Sequence, residues 1–229
     1  MVGMRVEPYE VGSYLHVLKR GARGLPIVGD EFDRQRFLRV LFHMNDEYLE
    51  QNWDRLSFSA PFERSISWPE RKPLVAVLAY TLMPNHIHLL LREIRAGGTS
   101  LFMKKVGQSM TNHHNEKYNE RGSLFQGSYT CRTIGSDRYL QYVAAYIMVK
   151  NTFELYPRGG LRGAAQHFEK AWSWACAYPF SSLGCYMSAQ DVPILDYESI
   201  AEILPPPARF KNFARDVIAG GQWYETDLE

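Results

Sequence analysis

The sequence predicts an α+β fold, an antiparallel sheet with helices laid across it, on three observations. Two apolar runs, residues 74–80 and 86–92, flank a Pro84-Asn85 turn, which is the pattern of a β-hairpin. Residues 13–20 alternate as a strand does and break at Gly21 and Gly24. Helical spacing recurs at Phe32, Phe37, Leu38, Leu41 and Phe42, at Leu101, Phe102, Val106 and Met110, and from 138 to 149. Strand, helix, strand pair, helix, strand, helix is an order that covers an antiparallel sheet with helices.

In chain order, Asp30 is placed to cap the first helix. Residues 46–73, with Pro61, Pro69, Pro73 and two tryptophans, read as an irregular inserted arm. After the hairpin, Gly97 and Gly98 turn the chain, Thr99 or Ser100 is expected to cap the next helix, and Gly122 breaks it. Residues 123–134 read as a strand interrupted at Gly127, and Gly135-Ser136-Asp137 as supplying the cap of the helix that follows. Past Asn151 the texture changes. We expect a main unit of residues 1–151 and a C-terminal extension, 152–229, that packs on it.

Composition narrows the class. The 229 residues suit one domain with a modest appendage, and 45% hydrophobic residues supply a core. No run of about 18 apolar residues is present, so no membrane span is expected. The start, Met1-Val2-Gly3-Met4-Arg5, lacks the apolar stretch of a secretory leader. Three cysteines without a CxxC pair read as reduced thiols, and the chain as cytoplasmic. The net charge of +1 is nearly neutral, but residues 92–150 hold nine Lys or Arg against four acids. That local excess is enough for a phosphate-binding face, although a solvated mixed surface would give the same counts.

Chemistry enters with His86 and His88. Two apart on a strand, they point to the same side, within reach of one metal ion. Alone, such a pair also describes two surface histidines. Tyr139, Tyr142 and Tyr146 line one face of the last helix, a stripe that serves a core as readily as a reaction. Together the two elements suggest phosphodiester chemistry: a tyrosine oxygen attacks phosphorus and leaves a covalent phosphotyrosine and a free 3′-hydroxyl. That ester conserves the bond energy, so a later 3′-hydroxyl can reverse the step and join DNA.

The stretch Pro84-Asn85-His86-Ile87-His88-Leu89-Leu90 resembles the HUH strand of single-tyrosine transposases of insertion-sequence type, above all the REP-associated tyrosine transposases. His16 to Gly21 is similar to their first strand, Gly122 to Tyr129 to the strand before the catalytic helix, Tyr139 to Ile147 to that helix, and Tyr178 to Tyr186 to a Ser-Ser signature in the tail. The resemblance implies a ferredoxin-like sheet with the HUH strand central. It also implies metal binding (Mg2+ or Mn2+) at His86 and His88, and Tyr146 as nucleophile. Single-stranded DNA with a hairpin or palindrome is the implied partner, and a homodimer the implied assembly. In such relatives a polar residue one turn past the tyrosine, often an asparagine before a proline, completes the metal site. Here that position holds Lys150, and Asn151 follows, rotated well away on a regular helix. Three readings stay open: a loosened helix brings Asn151 in, Lys150 neutralises phosphate instead, or the site is impaired.

Lys19, Arg20, Arg23, Gln126, Arg132 and Lys150 are the expected DNA contacts. His113 and His114, adjacent on a helix, diverge and are read as surface residues. Trp172 and Trp174 are read as core. Besides the strand transferase, two other functions compete for these residues: a hairpin-binding regulatory remnant, and an unrelated His-metal hydrolase, for which the expected carboxylate ligands are lacking.

Overall fold

A computed structural model describes residues 7–50, 52–188 and 190–220. The opening Met1 to Arg5 stretch, Gln51 in the arm and residues 221–229 of the expected extension lie outside them. Four strands form one antiparallel sheet: β1 (Tyr14–Arg20), β2 (Val75–Leu82), β3 (His86–Glu93) and β4 (Thr130–Ile134), in the order β2-β3-β1-β4. That is the ferredoxin-like order, and β3, which carries both histidines, is an interior strand. β2 is buried along its whole length, which explains its nearly continuous apolar sequence.

Register fixes what each face carries. Leu18 of β1, Thr81 of β2 and Thr130 of β4 align with His88 through the pairings, so these side chains share one face. Val17, Tyr80, Leu89 and Cys131 share the other, where α1 (Glu31–Met44) and α3 (Gly98–Tyr118) pack. The two helices are joined through Asp33 of α1, whose carboxylate accepts from Lys117, His113, Tyr118 and the Gly29 amide at 2.7–2.8 Å. Asp30 caps α1 through the Asp33 amide, as expected.

The cap of α3 is different from the expected one. Neither Thr99 nor Ser100 holds the cap position; Gly97 does, in left-handed conformation at φ 74°. The Thr99 amide and hydroxyl instead donate to the buried Glu93 carboxylate. Gly97 turns the chain so tightly that the last acid of β3 meets the positive end of the helix. A second correction concerns residues 123–134. Only Thr130–Ile134 is a strand, and the earlier half touches the sheet through one isolated bridge, Gly21 to Phe125.

The arm, 46–73, holds one short helix, α2 (Trp53–Leu56), tied to α1 by ion pairs from Arg36 and Arg39 to Asp54. On the opposite face of the sheet runs a helical rod: α4 (Asp137–Ala145), a π-helical turn (Tyr146–Lys150) and α5 (Asn151–Glu154). Ser136 caps α4 through the Tyr139 amide. Five helices follow: α6 (Gly160–Gln166), α7 (Phe168–Cys176), α8 (Leu183–Ser188), α9 (Tyr197–Ile203) and α10 (Pro207–Gly220). Trp172 is buried and Trp174 stacks on Tyr178. Both outer edges of the sheet are occupied. Leu82 and Ser182 amides exchange bonds with the Phe180 and Tyr80 carbonyls, and the Asp196 amide donates to Val77, all along β2. On β4, the Glu7 amide donates to Cys131 and the Glu7 carboxylate accepts from Thr133.

Candidate active site

The site forms where β1 and β3 face the π-helical turn. His88 is buried and its ring lies edge-on to Tyr146, centroids 5.6 Å apart. His86, half-buried at the start of β3, stands edge-on to His88 at 4.8 Å. Its Nδ1 lies 2.7 Å from Asn85 Oδ1. The Pro84-Asn85 turn is tied down from both sides. Gly21 and Ile27 amides donate to the Asn85 and Pro84 carbonyls, and the Asn85 amide donates to Gly24. The turn that starts the motif is thereby held against the loop after β1.

A residue absent from the sequence-based set completes the cluster. His16 of β1, also buried, lies edge to edge with His88 and nearly coplanar, centroids 5.2 Å apart and 9° between planes. Its Nε2 is 2.9 Å from His88 Nδ1, and its ring stands edge-on to Tyr146 at 5.9 Å. Burial drives the His16 pKa down to about 4. Burial, then the charges of His16, His86, Lys150 and Arg20, hold His88 well below the usual histidine range. Both rings are therefore neutral near pH 7, the state in which an imidazole can ligate a metal.

The helix departs from regularity at the tyrosine. The Asn151 amide donates to the Tyr146 carbonyl, the i to i+5 bond of a π-turn. Residue 151 thus follows Tyr146 by one hydrogen-bonded turn, a place that residue 150 would hold in an α-helix. Hydroxyls from outside brace this turn: Thr81 donates to the Ile147 carbonyl, and Ser181 to Met148 at 3.3 Å. Lys150 stays close as well. Its Nζ is 3.5 Å from the Tyr146 oxygen, 4.6 Å above the ring, and 2.6 Å from Glu154. Tyr146 itself is only 1% exposed.

The donor set suits a divalent cation in composition. His86 and His88 have Nδ1 engaged, and the buried Asn151 brings a side-chain amide whose oxygen is the atom able to ligate a cation. Among the described residues no group of three His, Cys, Asp or Glu is placed to hold a metal, so a third protein ligand would have to be an amide.

The other expected contacts divide. Arg20 and Gln126 are exposed, and the Gln126 amide donates to the Arg20 carbonyl at the end of β1. Arg23, exposed in left-handed conformation, lines a cavity of about 320 Å³ with Tyr118 and Arg121. Lys19 is not brought to the histidines. It lies on the opposite face, buried, donating to Gly127 and sitting over Phe125. Arg132 is engaged by Glu7 at 2.7 Å. His113 and His114 diverge as expected, to Asp33 and Glu120. Tyr139 and Tyr142 stack on each other, half-buried. The three cysteines are free thiols. Among the described residues no helix is long and apolar enough to cross a membrane.

No curated protein matches the sequence. One solved structure, described as "Structure of the REP associates tyrosine transposase bound to a REP hairpin", aligns at 12% identity and a TM-score of 0.46, covering 85% of this chain and 90% of that one. Residues 62–150 match the family described as "Transposase IS200 like". This span holds β2, β3, α3, β4, α4 and the π-turn, with His86, His88 and Tyr146, whereas His16 and Asn151 lie outside it. Over residues 62–150, then, the chain resembles the IS200-like transposases, in agreement with what its Pro-Asn-His-Ile-His motif implied.

Proposed function

We propose that the chain is a DNA transposase that cuts and rejoins single-stranded DNA through a phosphotyrosine bond at Tyr146. One observation carries this reading: Tyr146, from the rod, stands edge-on to His88 of the HUH pair. The tyrosine oxygen attacks phosphorus, the bond to the 3′ oxygen breaks, and a 5′-phosphotyrosine forms. The phenol proton passes to solvent and the leaving oxygen takes one up, so charge balances. A 3′-hydroxyl reverses the same steps without an external energy source.

His86, His88 and Asn151 would hold a divalent cation, Mg2+ or Mn2+, which when bound polarises the phosphoryl oxygens. The Lys150 ammonium, 3.5 Å from the attacking oxygen, lies where negative charge must be carried. Arg20, Arg23 and Gln126 supply contacts at the rim that set the strand in place. Lys19 and Arg132, engaged within the fold, are left out of that set. Residues 1–151 are the catalytic unit and 152–229 its extension. The resemblance to REP-associated tyrosine transposases makes a hairpin or palindrome the target. One tyrosine per chain makes one cut, so complete transposition needs two copies or two rounds.

The burial of Tyr146 favours a second reading, a chain that binds hairpins without cutting them. Incubation with labelled hairpin-bearing single-stranded DNA, with and without Mg2+ or Mn2+, separates the two on a denaturing gel. A metal-dependent covalent band, lost in both Tyr146→Phe and His88→Ala, is expected. An adduct that persists in Tyr146→Phe removes the nucleophile assignment, and hairpin binding with no adduct under either metal leaves the second reading.

A further inference from the structure

His16 and His88 share one hydrogen bond, 2.9 Å long, between His16 Nε2 and His88 Nδ1. The bond arises from register. Leu18 pairs with His88 across β1 and β3, so His16 is the next side chain on the same face. Two neutral imidazoles in such a pair must take opposite roles: one ring donates its proton and the other accepts. On His86 the neighbour settles the role. Nδ1 lies 2.7 Å from the Asn85 amide oxygen, which can only accept, so Nδ1 carries the proton and the lone pair sits on Nε2.

We propose that His16 is a positioning residue: it accepts from the His88 Nδ1 proton and fixes His88 in the tautomer whose Nε2 carries the lone pair. His86 and His88 then offer the same nitrogen to a cation. This rests on reading the two as metal ligands. Outer partners of this kind set both the tautomer and the ring angle of a ligating histidine. With 9° between the ring planes and centroids 5.2 Å apart, the two rings lie edge to edge and nearly coplanar, so the hydrogen bond runs in the plane of both rings and holds the angle of His88. An outer partner is more often a carboxylate or a backbone carbonyl. Here a buried imidazole occupies that place.

The test uses the full chain and Mn2+ as probe. Glutamine at position 16 retains an acceptor for the His88 proton, whereas leucine retains bulk alone. His16→Leu is expected to lower Mn2+ affinity, read by electron paramagnetic resonance titration, by about 10–100-fold. His16→Gln is expected to keep most of it. Long-range 1H–15N spectra of the metal-free wild type are expected to show His88 protonated at Nδ1 and bare at Nε2. A folded His16→Leu protein that binds Mn2+ as tightly as wild type overturns the proposal. So does a His88 Nδ1 without its proton, a result readable even where the leucine variant fails to fold. Unchanged Mn2+ affinity in His86→Ala and His88→Ala would overturn the ligand reading itself. Loss there, with none in His16→Leu, overturns the positioning role alone.

Discussion

The backbone amide of Asn151 is bonded to the carbonyl of Tyr146, five residues back. A single widened turn of this kind recurs at functional sites because it re-aims the side chains on either side of it. Here the helix loosens at the tyrosine, and residue 151 comes one hydrogen-bonded turn after it.

The Asn151 side chain is buried with an Nδ2 that bonds to nothing among the described residues. A group left unsatisfied contributes little to stability, so Asn151→Ala should change the unfolding free energy by less than about 1 kcal/mol. Metal-dependent adduct formation should fall by about tenfold or more, as expected for a lost ligand or its close support. Urea unfolding and the covalent-adduct gel read the two effects separately. Equal losses in both would mean that Asn151 serves the fold.

Thr81 and Ser181 brace the π-turn from a strand and from the C-terminal segment. Each substitution, Thr81→Val or Ser181→Ala, removes a buried hydroxyl bond and should cost about 1–3 kcal/mol. For a chain of this size that lowers Tm by about 2–4 °C per kcal/mol. Adduct yield should fall beyond the loss of folded protein. If activity per folded molecule is unchanged, the turn does not depend on its braces.

Lys150→Met removes the ammonium beside the tyrosine oxygen and keeps most of the side-chain volume. The cleavage rate should drop by about tenfold, or about 1.4 kcal/mol in the barrier. Glu154, the lysine's partner, is about one-third exposed and can be rehydrated, so stability should change less. Single-turnover kinetics at saturating DNA give the rate. An unchanged rate would leave Lys150 as an ion-pair residue only.

Burial pushes Asp33 up, but bonds from Lys117, the Gly29 amide, His113 and Tyr118 outweigh it and hold the carboxyl well below the ordinary range. A folded-state pKa below the unfolded value of about 3.9 stabilises the protein fully above that value. The contribution disappears as pH falls from about 4 towards the folded value. Asp33→Asn should therefore destabilise by on the order of 2 kcal/mol at pH 7, with the gap to wild type unchanged down to about pH 5 and narrowing below about pH 4. Urea titrations at pH 7, 5, 4 and 3 check the sign. A gap that widens in acid would contradict it.

How much of this was legible in the residues depends on how local each cause is. The histidine pair could be read because strand period and the Pro84-Asn85 turn are both written within a few residues. Period two also separates Lys19 from Arg20, which accounts for Lys19 lying away from the site. His16 was missed because its partner is set by the β1–β3 register, and one histidine in an alternating strand carries no mark of that. The loosened helix could be raised only as one of three readings, for a similar reason. Nothing in Tyr146-Ile147-Met148-Val149-Lys150 breaks a helix, and the groups that hold the turn, Thr81 and Ser181, are distant in sequence. Among the three tyrosines, only resemblance to a family selected Tyr146. The cap of α3 by Glu93 likewise depends on a turn tightened at Gly97.

The occupied edges of the sheet have a consequence for how copies of the chain can meet. An open strand edge is a template on which a neighbour can add its own strand, in ordered pairing or in aggregation. Here Phe180, Ser182 and Asp196 bond along β2 and Glu7 bonds along β4, so among the described residues both edges carry backbone partners. Two copies of the chain would therefore meet through side-chain surfaces rather than by adding strands, as long as Glu7, Phe180, Ser182 and Asp196 keep these bonds.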